Sequence, residues 1–186
     1  MELTSKANEL GGDICVITGW RGVGKTALCQ KVAAQVQQAK RTVAGLLSPG
    51  RFNGETKTGI FAVDLASREM RLLATTVEGE IDGLQLSPWT FDPQVLAWGN
   101  QCLMQSTSPE LLVIDEIGPL EFEMETGWWS SFEVLRRKSY QLALVVIRPE
   151  FLAAFSNLGF VYQAVEVTQE AELEHLAAGI SSLVSR

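Results

Sequence analysis

The segment Gly19-Trp20-Arg21-Gly22-Val23-Gly24-Lys25-Thr26 constrains this chain more than any other stretch, because it fits the pattern G-x-x-x-x-G-K-[ST] at every fixed position. It sits where that pattern needs to sit. Ile14-Cys15-Val16-Ile17 before it is a short apolar run that reads as a buried strand, and Leu28, Val32, Val36 and Ala39 after it fall on one helical face. A tight turn from a buried strand into an amphipathic helix belongs to an α/β fold with a mostly parallel sheet.

The remaining pattern keeps alternating. Thr42 to Leu47 reads as a second strand, then Ser48-Pro49-Gly50 and Asn53-Gly54 read as loop. Gly59 to Leu65 and Met70 to Thr75 form an expected antiparallel pair, an insertion on the parallel core. Asp92-Pro93 starts a helix bearing Val95, Leu96, Cys102 and Leu103: the carboxylate caps free N–H groups, and proline in the first turn loses no hydrogen bond. Leu111 to Ile114 is the next buried strand and ends at Asp115-Glu116. Trp128 to Lys138 reads as a helix whose Arg136-Arg137-Lys138 end suits the negative pole and a solvated face. Leu142 to Ile147 is another buried strand, stopped by Arg148-Pro149. A short helix from Phe151 to Asn157, a strand from Phe160 to Val167 and a closing helix with Leu173, Leu176, Ala177, Ile180 and Leu183 complete the expectation of one domain over residues 1–186.

Composition narrows the function. Fifteen Lys and Arg against 22 Asp and Glu give a net charge of −7, which argues against general nucleic-acid binding because displacing counterions from phosphates needs a basic surface. A local anion site built from backbone N–H groups remains open. The longest apolar stretch, Leu142 to Ile147, is too short for a membrane helix, and the first residues lack the basic start and apolar run of an export signal. A cytoplasmic protein is expected. Cys15, Cys29 and Cys102 have no CxxC spacing, and the single His175 cannot complete a zinc set, so reduced core thiols are expected.

The glycine turn has a definite chemistry. A polyphosphate packs several negative charges into a small volume, and a loop surrounds it only if successive N–H groups point inward. Glycines permit those torsions and let oxygens come close. The backbone from Gly19 through Trp20, Arg21, Gly22, Val23, Gly24, Lys25 and Thr26 to Ala27 is therefore the candidate phosphate cradle, aided by the positive pole of the following helix. Lys25 adds an ammonium for the β- and γ-phosphates, and Thr26 a hydroxyl for Mg²⁺. Asp115, at the C-terminal end of a buried strand, is a candidate to hold Mg²⁺ through its water shell, and Glu116 to orient the attacking water. Arg148 ends the neighbouring strand, where it either reaches a γ-phosphate or forms a strand-end salt bridge. Trp20 either stacks on a base or is partly buried against neighbouring loops. The chain has neither an N-K-x-D guanine-reading segment nor an arginine-dense kinase lid.

Three stretches, GWRGVGKTAL, AGLLSPGRFNGETKTGIFAVDLASREMRLLA and VIDEIGPLEF, resemble the small P-loop nucleoside-triphosphatases described from thermophiles, which also have vertebrate members. The last looks like that family's Asp-Glu-Ile-Gly-x-x-Glu signature. The resemblance implies a RecA-like core and Mg²⁺-dependent hydrolysis of ATP, GTP and other nucleoside triphosphates. It also implies Glu116 as catalytic base and a site role for Glu121. Two departures stand out: Arg51-Phe52 occupies the place of a usual Val-Arg, and Lys57 that of a common arginine. Either residue is a phosphate contact or part of an ordinary exposed loop. Two rival readings are a kinase acting on a small acceptor and a nucleotide-gated adapter with negligible turnover, its protein partner unknown.

Overall fold

The computed structural model describes residues 12–184. Its centre is a ten-stranded sheet whose strands, in chain order, are β1 (Asp13–Thr18), β2 (Val43–Leu47), β3 (Gly50–Asn53), β4 (Thr56–Asp64), β5 (Met70–Thr75), β6 (Leu84–Leu86), β7 (Trp89–Phe91), β8 (Leu111–Ile117), β9 (Leu142–Ile147) and β10 (Gln163–Glu166). The main path runs β10-β1-β9-β8-β2-β4-β5-β7-β6, with β3 paired to β4. From β10 to β2 every pairing is parallel, and from β2 outward every pairing is antiparallel.

The parallel half is buried on both faces, which is why its strands read as continuous apolar runs. Along β9, Leu142, Leu144 and Val146 pack with α1 (Lys25–Gln38) and the C-terminal helix, while Ala143, Val145 and Ile147 enter the opposite core. That opposite core also takes Val95, Leu96 and Leu103 from α2 (Pro93–Gln105), Leu120 from α3 (Pro119–Phe122), Phe132 and Leu135 from α4 (Ser130–Arg137), and Phe155 from α5 (Leu152–Asn157). The C-terminal helix, α6 (Leu173–Val184), adds Leu173, Ala177, Ile180 and Val184 to the α1 side. The architecture is therefore the expected α/β one, a parallel core flanked by helices with an antiparallel insertion. Asp92 caps α2 as expected, accepting from the backbone N–H groups of Gln94 (2.8 Å) and Val95 (3.3 Å).

Several boundaries move for physical reasons. The insertion is larger than a hairpin: Gly50–Asn53, expected as loop, pairs with β4, and β6 and β7 extend the meander beyond β5. These short strands carry no alternation strong enough to read, since their order comes from pairing with neighbours. The last strand covers Gln163–Glu166 and not Phe160 to Val167. Phe160 and Tyr162 instead join Phe155 and Phe132 in an aromatic cluster outside the sheet. β8 continues past Asp115-Glu116 to Ile117. The peptide bonds Ser87–Pro88 and Asp115–Glu116 are cis. No helix among the described residues is long and apolar enough to cross a membrane.

Candidate active site

Parallel pairing puts the C-terminal ends of β1, β9 and β8 side by side on one edge of the sheet. The glycine turn leaves β1 there, Arg148 follows β9, and Asp115 and Glu116 lie near the end of β8. The turn enters α1 through Gly24, whose φ of 97° is a left-handed conformation that suits glycine. A Cβ at Gly24 would also come 2.9 Å from Leu173 Cδ1 of α6. The first N–H groups of α1 carry no side-chain cap and face the turn.

Lys25 is buried, and its Nζ donates to the carbonyls of Gly19 (2.7 Å) and Trp20 (2.9 Å). Burial lowers its pKa; Glu116, Asp115 and Glu150 oppose that shift and Arg148 adds to it, so all four charges converge on this ammonium. The Thr26 hydroxyl donates to Asp115 Oδ1 at 3.2 Å. Asp115 is 1% exposed, and burial pushes its pKa up to about 6 although Ser48 N–H (3.0 Å) and Thr26 donate to it. The Ser48 hydroxyl also bonds the Asp115 carbonyl. Glu116 is half-buried, and Arg148 Nε lies 2.8 Å from its Oε1.

The structure thus gathers Lys25, Thr26, Asp115, Glu116 and Arg148 at one sheet edge. Arg148 takes the strand-end ion pair weighed above. Trp20 is 73% exposed, against the expected partial burial. The carbonyls of Gly19 and Trp20 turn in toward Lys25 while the indole is left in solvent, beside a cleft lined by Gly19, Trp20, Arg21, Arg148, Pro149 and Glu150. Arg51 is engaged within the meander: it pairs with both oxygens of Glu80 at 2.6 Å and donates to Thr75 Oγ1 at 2.9 Å. Lys57 behaves differently. Although exposed overall, its pKa is lowered by local desolvation, with Glu116 and Asp115 raising it and Arg21 lowering it, which places it within the field of the site. Its ammonium also lies 5.6 Å over the Trp89 ring. Sequence reasoning missed Ser48, a serine in an apparent loop that carried no signal of its bond to Asp115.

Glu121 is 3% exposed and accepts from Gly118 N–H (2.7 Å) and Trp128 N–H (2.5 Å), so its carboxyl holds the turn behind Glu116. Burial pushes its pKa up to about 7 against those bonds. A folded pKa above the ordinary carboxyl value means that the fold binds this proton more tightly than the unfolded chain does. Its contribution therefore favours the fold at low pH and declines as pH rises from about 4.5 toward about 7. Denaturant unfolding at a series of pH values is expected to show a shallower decline for Glu121→Gln than for the wild type over that window; parallel curves would contradict the shift.

The family profile described as NTPase matches residues 14–176, from the first buried strand into the last helix. The chain belongs to the NTPase family. Nucleoside-triphosphatase THEP1 of Caldivirga maquilingensis is similar to it, 24% identical over 160 residues that cover 86% of this chain and 90% of that protein. THEP1 of Ignicoccus hospitalis is 28% identical over 167 residues, covering 87% and 94%. Among solved structures, that of a human cancer-related nucleoside triphosphatase superposes with a TM-score of 0.69 at 20% identity, over 93% of this chain and 97% of that one. THEP1 from Aquifex aeolicus gives 0.66 at 17% identity, over 93% and 99%. At these identities the two structures speak for the fold alone, and they share the α/β architecture of this NTPase.

Proposed function

We propose that this NTPase hydrolyses nucleoside triphosphates, ATP and GTP among them, to the diphosphate and phosphate in a Mg²⁺-dependent reaction. The observation that carries the reading is the meeting of the glycine turn, the Thr26–Asp115 contact at 3.2 Å and the Glu116 carboxylate on one sheet edge. A hydroxyl and a carboxylate side by side are hard oxygen donors, which fit Mg²⁺, an ion that keeps waters and phosphate oxygens for most of its shell. Thr26 and Asp115 would hold the ion, and it would neutralise charge on the β- and γ-phosphate oxygens.

The chain's own groups do the rest. Backbone N–H groups from Gly19 to Ala27 and the Lys25 ammonium bind and orient the phosphates. Glu116 accepts a proton from a water aligned with the γ-phosphorus. The new bond joins the water oxygen to phosphorus, the bond to the β-bridging oxygen breaks, and the diphosphate leaves with that electron pair. Orientation and charge stabilisation supply most of the acceleration in such a transfer. Burial raises the Asp115 pKa to about 6, so its ionised form grows as pH passes that value.

The test is phosphate release from ATP, GTP, CTP and UTP with Mg²⁺ and with excess chelator. Release from several bases that falls to background on chelation is expected. Label appearing in an added acceptor with little free phosphate would favour a kinase, and tight binding without release an adapter.

A further inference from the structure

Glu116 is engaged by an opposite charge, the guanidinium of Arg148. Arg148 Nε stands 2.8 Å from Glu116 Oε1, and its Nη1 3.2 Å from Glu150 Oε1. The Arg148 side chain is 11% exposed, against 37% for Glu116 and 49% for Glu150. The buried Nε nevertheless has no hydrogen-bond partner, because its N–H is not aligned on the carboxylate. Proximity of charge, without a directed hydrogen bond, holds the pair. The guanidinium carbon lies 5.4 Å over the Phe151 ring. Gly118 leaves room for the contact, since a Cβ there would sit 3.2 Å from Arg148 Nη2 and 3.5 Å from Glu116 Oε1.

An ion pair without a directed hydrogen bond leaves the guanidinium's donors open to another anion. A terminal phosphoryl group carries more charge than a carboxylate and presents several oxygens to the planar fork, so it competes well for the same arginine. The cleft lined by Gly19, Trp20, Arg21, Arg148, Pro149 and Glu150 opens between the glycine turn and this arginine.

We propose that Arg148 discriminates triphosphate from diphosphate by exchanging its ion pair with Glu116 for one with the γ-phosphate. Only a nucleotide with a γ-phosphate then frees the base, and after hydrolysis the arginine returns to Glu116. Glu150, joined to Arg148 through Pro149 and more exposed than Glu116, keeps the guanidinium near both positions. The inference rests on the triphosphatase reading of this site and adds how the site senses its substrate.

The experiment measures binding, so it does not depend on turnover. Affinities for the imido analogues of ATP and GTP, and for ADP and GDP, are determined for the wild type, Glu116→Gln, Arg148→Met and the double variant. Glu116→Gln removes the competitor for Arg148 and is expected to tighten the imido analogues about fivefold, the scale of a partly exposed ion pair, with the diphosphates unchanged. Arg148→Met should lose most of the preference for the triphosphate form, and adding Glu116→Gln to it should give no further gain. Equal tightening of both nucleotide classes, tightening that survives in the Arg148→Met background, or no tightening would each overturn the exchange. If Arg148→Met does not fold, Arg148→Lys, which keeps the charge without the fork, should show a reduced preference in its place. Absence of phosphate release by the wild type would instead sink the triphosphatase reading and leave the binding result separately legible.

Discussion

Phosphate release by Glu116→Gln is expected to fall about a thousandfold while nucleoside-triphosphate binding is retained, the size of effect seen when a positioned proton acceptor is removed. Gln keeps the shape of the side chain and one acceptor oxygen, but it cannot take up the proton of the attacking water. The substitution removes no N–H from the glycine turn and leaves Lys25, Thr26 and Asp115 in place, so the binding groups persist. Single-turnover phosphate release alongside direct titration of nucleotide separates the two quantities. Release that persists near the wild-type rate would remove Glu116 from the mechanism and point to another acceptor on the same edge.

The second large effect falls on binding. Lys25→Ala is expected to weaken nucleoside-triphosphate affinity roughly a hundredfold, since a charge-assisted hydrogen bond to phosphate is worth about 1.5–3 kcal/mol and each 1.4 kcal/mol is a factor of ten. Lys25 is held in place by the Gly19 and Trp20 carbonyls and lies in the field of Asp115, Glu116 and Glu150, so its ammonium is centred among the groups of the site. Unchanged affinity in an isothermal titration would show that the turn is only a connection between β1 and α1. A fold check by circular dichroism accompanies the measurement, because the substitution also takes a donor from two loop carbonyls.

The two substitutions act on different quantities, and that separation is itself informative. Glu116→Gln is expected to act on the rate, with only the few-fold gain in triphosphate affinity that release of Arg148 brings, and Lys25→Ala on the affinity, so a variant that lowers both together reports on the fold of the edge and not on one chemical role.

Much of this protein is legible in its residues. The pattern G-x-x-x-x-G-K-[ST] between an apolar run and an amphipathic helix specifies the phosphate-loop geometry, because few backbones place that many N–H groups around one anion. Runs such as Leu142 to Ile147 reveal buried parallel strands, because both of their faces meet apolar cores. The Asp115-Glu116 pair at the end of such a run marks the candidate functional edge, since ligands of open α/β sheets bind beyond the carboxyl ends of the strands. The short strands of the meander stayed hidden: their order comes from pairing partners that local sequence does not contain.

What tertiary structure alone decided are the partnerships between distant segments. Ser48 meets Asp115 because β2 lies beside β8, and Arg148 meets Glu116 because β9 lies between β1 and β8. Arg51 is drawn to Glu80 by the meander, while Lys57, six residues on, is left within reach of the acids' field. Glu121, to which the resemblance gives a site role, accepts backbone N–H groups from Gly118 and Trp128, a pairing its sequence position does not announce. Charge interactions fall off steeply with distance and depend on burial, and neither quantity is written in the order of residues along a chain. The sequence by itself determined which groups the site can use; the packing of the strands determined which of them stand face to face.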